Sequence, residues 1–440
     1  MTESHIVIRP REKHNISRSN IDPDALTVLY HLSRNGYLSY LVGGGVRDLL
    51  LGRTPKDFDV GTNAHPNQIK KLFRNCFLIG KRFRLAHVKF GEKIIETCTF
   101  RQQTQTEADP HAPGVDLHIH RDNTYGTPEE DARRRDFTVN GLFYDIKTFR
   151  VIDHVGGLAD LDRRIIRSIG DPNIRFREDP VRMIRAVRFA SRLGFDIEEQ
   201  TWDAILCHHR EIEKAAKPRM LEEIYRLFSF QSGENSFRLL RKTKLLSVLF
   251  PELDCYLDRN GDDNNLLWRC LAQLAVYGKE SGGVTAQMIF GTLIYPLVLE
   301  QVQKATENNE RASYSAIAHE LIKAVAVRFQ MPKRVFFDVV HMFGDQQRLA
   351  EWTNSPDKVR RIMERPWFEE SLDLREIYIG ACQADLRPIH IWHGMLDEMR
   401  RRKPASKSHD EASDSSHRRP RSGRRNSPHR HAVNHNAPQA

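Results

Sequence analysis

Three consecutive glycines, Gly43, Gly44 and Gly45, stand directly behind a short apolar run at Tyr40, Leu41 and Val42. Neither a strand interior nor a helix interior suits such a triplet, so the run ends as a short buried strand and the backbone after it carries no side chains. Residues 46–51 then read as a helix that Gly52 stops. Three unhindered peptide N–H groups and a helix N-terminus meet at one point, where an anion can sit.

After a turn at Thr54 and Pro55, a second strand is expected in which Asp57 and Asp59 alternate with Phe58. Both carboxylates then project from one face while Phe58 points into the core. Two like charges on one side of a strand repel unless a cation lies between them. Carboxylate oxygens suit Mg2+, which also bridges substrate phosphates. The plainer reading, solvated aspartates in a surface turn, suits the tripeptide alone, but the glycine turn just upstream weighs against it. In KIIETCTF, Glu96 interrupts another apolar run. A lone ionised carboxylate is costly if buried, so Glu96 is either a third metal-directed acid or an edge-strand residue facing water.

GGGVRD followed by DFD resembles the signature of the polymerase-β nucleotidyltransferase superfamily, in the branch holding bacterial poly(A) polymerases and tRNA CCA-adding enzymes. The chain has neither a Walker P-loop nor a Rossmann G-x-G-x-x-G. The resemblance implies an α+β fold: a small N-terminal mixed β-sheet head with flanking helices, an all-α neck and body, and a disordered basic C-terminal tail. It implies that Asp57 and Asp59 are catalytic and hold two Mg2+ ions, with Glu96 beside them, and that Gly43, Gly44, Arg47 and Asp48 bind the nucleotide. Arg134, Arg135, Asp136 and Asn140 resemble the R-R-D-F-T-x-N-A element that contacts ribose and triphosphate in relatives; Gly141 replaces the usual small Ala or Ser. An arginine pair offers the donor forks a triphosphate needs, and Asp or Asn can bind a sugar hydroxyl.

The stretch REDPVRMIRAVRFASRLGF starts a helix on local rules, with Asp179 ahead of Pro180. At 100° per residue, Arg182, Arg185, Arg188 and Arg192 cover an arc of roughly 120°, opposite Met183, Ala186, Val187, Ala190 and Leu193. One face is core and the other a cationic stripe that includes the nucleotide-binding candidates Arg185 and Arg188. By resemblance the E-D-x-x-R element, Glu178, Asp179 and Arg182, reads the incoming base; Asp179 as an N-cap is the other local reading. Asp179 accepting from an exocyclic amine and Arg182 donating to the adjacent ring nitrogen fit adenine or cytosine, whereas uracil and guanine present an oxygen.

Residues 22–35 and 66–73 read as amphipathic helices, and 77–79, 87–90 and 94–100 as strands. Residues 80–91, GKRFRLAHVKFG, resemble bacterial poly(A) polymerases more closely than CCA-adding enzymes. Lys81, Arg82 and Arg84 are either RNA contacts or a solvated charge run. His87 reads as structural, because phosphoryl transfer relies on positioning and charge neutralisation. Residues 101–130 lack periodicity and read as a flexible loop; His111, His118 and His120 there lack a fourth zinc ligand. Gly156 and Gly157 lie in a segment resembling the family's hinge, although a hairpin turn explains them equally well. From Pro218 onward apolar positions recur at three and four, and the chain reads as helices.

Of the net charge of +10, the last forty residues carry ten Lys or Arg against three acids. That composition cannot bury enough surface to fold, so residues 401–440 are a disordered basic arm. Arg418, Arg419, Arg421, Arg424 and Arg425 contact RNA phosphates there or simply face water. Scattered cysteines and the lack of any membrane-length apolar run point to a reducing cytoplasm and no membrane partner. The expected organisation is an N-terminal arm (1–20), a catalytic head (21–155), a hinge and neck reading the base (156–230), an RNA-binding body (231–400) and the tail. The implied activity is template-independent addition of AMP from ATP to single-stranded RNA 3′ ends, in RNA processing and decay alongside RNA-decay machinery. A CCA-adding nucleotidyltransferase and a noncatalytic RNA-binding protein are the alternatives.

Overall fold

The computed structural model describes residues 6–80, 84–102, 124–350 and 356–402. Eight strands form one mixed sheet: β1 (Val7–Arg9), β2 (Ser39–Val42), β3 (Asp59–Thr62), β4 (Cys76–Ile79), β5 (Leu85–Phe90), β6 (Lys93–Thr99), and, after the two-residue ribbon β7 (Arg101–Gln102) and β8 (Thr124–Tyr125), β9 (Leu142–Asp145) and β10 (Arg150–Asp153). Their order is β1-β10-β9-β2-β3-β6-β5-β4, and only β3 and β6 run parallel. Helix α1 (Pro23–Arg34) starts where Asp22 accepts the N–H groups of Asp24 and Ala25. With α3 (Pro66–Leu72) it covers one face, burying Val28, Leu29, Leu32 and Ile69 against Leu41, Val60, Val88 and Ile95. A smaller cluster, Val42, Phe100, Ala132 and Phe143, lies on the other face beneath α4 (Pro128–Arg133).

The ends of the expected loop over residues 101–130 are ordered elements: Arg101–Gln102 pairs with Thr124–Tyr125 as a ribbon and α4 begins at Pro128, while residues 103–123, with the loop's three histidines, lie outside the described ones. Gly156 and Gly157 start a helix, α5 (Gly157–Arg163), instead of closing a hairpin. The buried Asp153 carboxylate accepts the N–H groups of Val155, Gly157 and Leu158 at 2.8–3.0 Å, so the helix N-terminus is closed by a side chain.

The neck follows as α6 (Pro172–Glu178), α7 (Val181–Leu193), α8 (Glu199–His208) and α9 (Lys217–Leu227). Arg175 of α6 joins it to the head by donating to the carbonyls of Arg134 and Arg135 at 2.8 and 2.9 Å, at the C-terminal end of α4. The helical body runs through α10 (Gly233–Lys242), α11 (Leu245–Leu249), α12 (Pro251–Asn260), α13 (Leu266–Glu280), α14 (Ala286–Glu307), α15 (Tyr314–Phe329), α16 (Lys333–Ala350), α17 (Pro356–Met363), α18 (Phe368–Ala381) and α19 (Arg387–Arg402). The periodic stretch 236–253 is three helices, because Lys244 adopts φ +60° and Pro251 forces Phe250 out of helical geometry. Residues to His390 form one compact unit, and a second begins at Ile391. Among the described residues no helix is long and apolar enough to cross a membrane. The basic tail, with its five arginine candidates, lies outside them.

Candidate active site

Gly43 caps α2 (Gly44–Leu50) with φ +70° and ψ −130°, a conformation that L side chains avoid. The helix therefore begins two residues earlier than its sequence suggested, and Gly44 and Gly45 form its first turn. A Cβ at Gly43 would lie 2.7 Å from Arg135 Nη1. Arg135 is held there by Asp131, which accepts its Nε and Nη2 at 3.2 and 3.0 Å, and its guanidinium lies over Phe143.

The second strand begins only at Asp59. Its partner β2 ends at Val42, opposite Asp59, so Asp57 and Phe58 have no ladder to join. Asp57 is exposed in the extended segment just ahead, and Phe58 is only half-buried against the core, which corrects the expected Asp57–Phe58–Asp59 strand. Because Val60 pairs with Thr97, Glu96 stands beside Asp59 on the parallel neighbour β6. Burial pushes the Asp59 carboxyl up to about 6, with Glu96 and then Asp57 adding to the rise and Arg135 opposing it. Glu96 is half exposed and 3.7 Å from the half-buried His87. Glu96 and Asp57 raise the cost of ionising Asp59, and a divalent cation relieves that cost; the donor set therefore fits Mg2+.

Around the carboxylates lies a pocket of about 440 Å3. Gly44, Arg47, Asp48, Asp57, Asp59, Arg135, Asp136 and Asn140 line it from the head, and Asp179, Arg182, Arg185 and Arg188 from the neck. Arg47 is fully buried and donates to Asp48 at 2.8 Å and to Asn140 Oδ1 at 2.5 Å. Asp136 accepts from Arg185 at 2.8 and 2.5 Å, from Asn140 at 3.0 Å and from the Phe137 N–H at 2.8 Å. Burial disfavours its charge, but Arg185, Asn140 and Arg182 outweigh this and hold its carboxyl well below the usual range. Asp136 and Asn140 thus tie the pocket wall together, with their main polar groups already bonded inside the protein.

The arginine stripe faces this pocket, not bulk water. Arg182 and Arg188 are buried, and Phe189 stands among the guanidinium groups of Arg47, Arg185 and Arg188, at 5.1, 5.4 and 4.2 Å from its ring centre. Asp179 is not an N-cap: Pro180 takes that position without a side-chain hydrogen bond, while Asp179 accepts both Nη groups of Arg219 at 3.0 and 2.9 Å. Its other cation is Arg182, 3.9 Å away. Burial, then Arg175, pull Arg182 down to about 10, and its buried Nη1 has no hydrogen-bond partner among the described residues.

Five candidates lie elsewhere. Gly43 shapes the turn behind the wall. Glu96 sits on the sheet beside the pocket. Arg134 pairs with Asp131, and Glu178 is buried in an ion pair with Arg175 at 2.8 Å. Arg84 is exposed just before β5, and Lys81 and Arg82 fall outside the described residues. The wall also holds Lys56, Phe189, Arg192 and Arg226, which sequence reasoning did not place there. Behind it Glu223, which was missed entirely, accepts from Arg185, Arg188 and Arg226 at 3.1, 2.8 and 3.3 Å. A signal existed: Glu223 shares the buried side of α9 with Met220, Ile224 and Leu227, and a carboxylate in such a place needs cations.

A family model described as the poly A polymerase head domain matches residues 39–167, and one described as the probable RNA and SrmB-binding site of polymerase A matches residues 194–257. The chain is 40% identical over 383 residues to Poly(A) polymerase I of Salmonella typhimurium, covering 85% of this chain and 82% of that one. It is 37% identical over 221 residues to the CCA-adding enzyme of Lactobacillus helveticus, covering 50% and 53%. In fold it resembles the CCA-adding enzyme of Bacillus stearothermophilus solved in complex with CTP, with a TM-score of 0.63, 24% identity, and 86% and 82% of the two chains covered. The likeness to the poly(A) polymerase extends over most of both chains; that to the Lactobacillus CCA-adding enzyme stops at about half.

Proposed function

The chain belongs to the poly(A) polymerase family, and on that premise we propose that the pocket around Asp57 and Asp59 transfers AMP from ATP to the 3′-hydroxyl of RNA, releasing pyrophosphate without a template. The observation that carries the reading is that the acidic pair of the head and the Asp179–Arg182 pair of the neck, far apart in sequence, line one pocket. In this scheme Arg135, Lys56 and the N–H groups at the start of α2 meet the triphosphate. Arg182 offers its unpartnered Nη1 to a ring nitrogen, and Asp179 accepts from the exocyclic amine beside it. Asp57 and Asp59, with Glu96 alongside, would hold Mg2+, which when bound supplies charge neutralisation at the attacking and leaving oxygens. Arg47, Asp48, Asp136 and Asn140 keep the wall rigid, so that little reorganisation is needed when the triphosphate arrives.

We further place the enzyme in the cytoplasm, acting on single-stranded RNA 3′ ends together with RNA-decay machinery, and assign the base to the neck and the RNA to the helical body and basic tail. The test is to incubate the purified protein with Mg2+, each nucleoside triphosphate in turn, and either a generic RNA primer or a tRNA lacking its end. Long tails from ATP alone on both RNAs support the reading. Short additions that require CTP and occur only on tRNA would sink it.

A further inference from the structure

Cross-strand register places four side chains in a single row on the face of the sheet that carries the active-site acids. Phe77 pairs with His87, His87 with Glu96, and Glu96 stands beside Asp59. Ladder partners share a face, and strands lie about 4.8 Å apart, so the row places Phe77 roughly 14 Å from Asp59. Phe77 is 59% exposed, and Ile79 and Ile94, on the same face by register, are 50% and 47% exposed. Their neighbours Cys76, Ala86, Val88 and Ile95 point the other way, into the core.

Sheet order assigns a direction to this row. The turn at Gly43 follows β2 and Arg135 precedes β9, so the groups that suit a triphosphate lie on the β2 and β9 side of Asp59. In phosphoryl transfer the attacking and leaving oxygens lie roughly in line across phosphorus. With pyrophosphate leaving toward Arg135, the RNA 3′-hydroxyl comes from the opposite side, over β6, β5 and β4. That is the side of Glu96, His87 and Phe77. The cation of Lys89 shares this face, opposite Ile94 in the ladder.

We propose that Phe77, with Ile79 and Ile94 beside it, is a stacking platform for bases of the single-stranded RNA primer a few nucleotides behind its reacting 3′ end. The proposal rests on the polymerase reading above. An aromatic face accepts any base, which suits an enzyme whose tail grows without a template. Exposed apolar side chains in line with a charged catalytic centre are otherwise an aggregation liability on the edge strand β4.

Phe77→Ala tests this. Loss of one stacked base should raise KM for a short single-stranded RNA primer about tenfold, with KM for ATP and kcat at saturating primer unchanged. Phe77→Trp should restore the wild-type value, and the melting temperature of both variants, at so exposed a site, should stay within a degree or so of wild type. A primer with abasic residues near its 3′ end should bind wild type less well and be no worse for Phe77→Ala. The platform is overturned if the variant keeps its primer KM, or if abasic substitution penalises variant and wild type equally. A wild-type protein that extends no RNA would instead overturn the polymerase reading, so the two failures are distinct.

Discussion

Arg135 Nη1 lies 2.7 Å from where a Cβ on Gly43 would be. The glycine is thus required twice, by its positive φ and by the guanidinium packed against its bare backbone. Asp131 fixes that guanidinium from the far side, so it cannot swing away cheaply. Gly43→Ala should lower kcat/KM on the order of a hundredfold, as loss of a preorganised electrostatic contact does, and cost about 2 kcal/mol of stability from left-handed strain. Steady-state kinetics and urea unfolding check both. Full activity in this variant would mean that Arg135 does not hold the triphosphate.

Metal affinity should be linked to protons through Asp59. Its carboxyl stands at about 6 in the folded chain, raised chiefly by burial and then by Glu96. A raised pKa means the native state binds more protons than the unfolded chain between about pH 4 and 6, so without metal the contribution of this group to stability falls as pH rises through that window. Mg2+ needs the ionised form; its affinity should drop as pH falls below about 6, and its binding near that pH should release a proton. Calorimetric titration in buffers of different ionisation enthalpy measures the release. Asp59→Asn should abolish it, and Glu96→Gln should shift it to lower pH.

Much of this site was readable in sequence because its chemistry is local. The glycine triplet and the arginine stripe each fall within one helix or at its cap, where spacing alone sets the geometry. Where the reading fell short, the controlling partner was distant. The strand could not begin at Asp57 because β2 ends at Val42, and no local pattern encodes where a neighbour stops. Asp179 looked like a helix cap until Arg219, forty residues later, took both its oxygens. Phe189 was legible in principle: at 100° per residue it falls inside the arginine arc, and an aromatic ring among cations marks a wall instead of a solvated face.

The missed Glu223 carries a prediction of its own. It is buried and accepts from three arginines, and burial has already pulled Arg188 down to about 10 despite this carboxylate. Glu223→Gln keeps the shape and removes the charge, leaving Arg188 without its counter-ion. The expected cost is about 3 kcal/mol in urea unfolding, the range for breaking one side of a buried pair, together with a higher KM for ATP. Glu222→Gln, next door but exposed, should change neither. Equal effects from the two would remove the case for a buried anchor.

Base choice should depend on the bidentate grip of Arg219 on Asp179. Arg219 is more than half exposed, so the pair adds little to stability, under about 1 kcal/mol. Its effect is on aim. Released from Arg219, Asp179 is free to turn toward Arg182, 3.9 Å away, and to occupy the Nη1 that is otherwise left for the base. Arg219→Ala should therefore raise KM for ATP about tenfold while the melting temperature barely moves. Asp179→Asn acts differently. Its amide can donate to an exocyclic carbonyl oxygen where the carboxylate could only repel one, so insertion of guanine or uracil should rise relative to adenine. Single-nucleotide incorporation with each triphosphate separates the two effects: Arg219→Ala weakens adenine entry, and Asp179→Asn relaxes the choice of base. If both variants keep wild-type selectivity and KM, the base is read by some other group in the pocket.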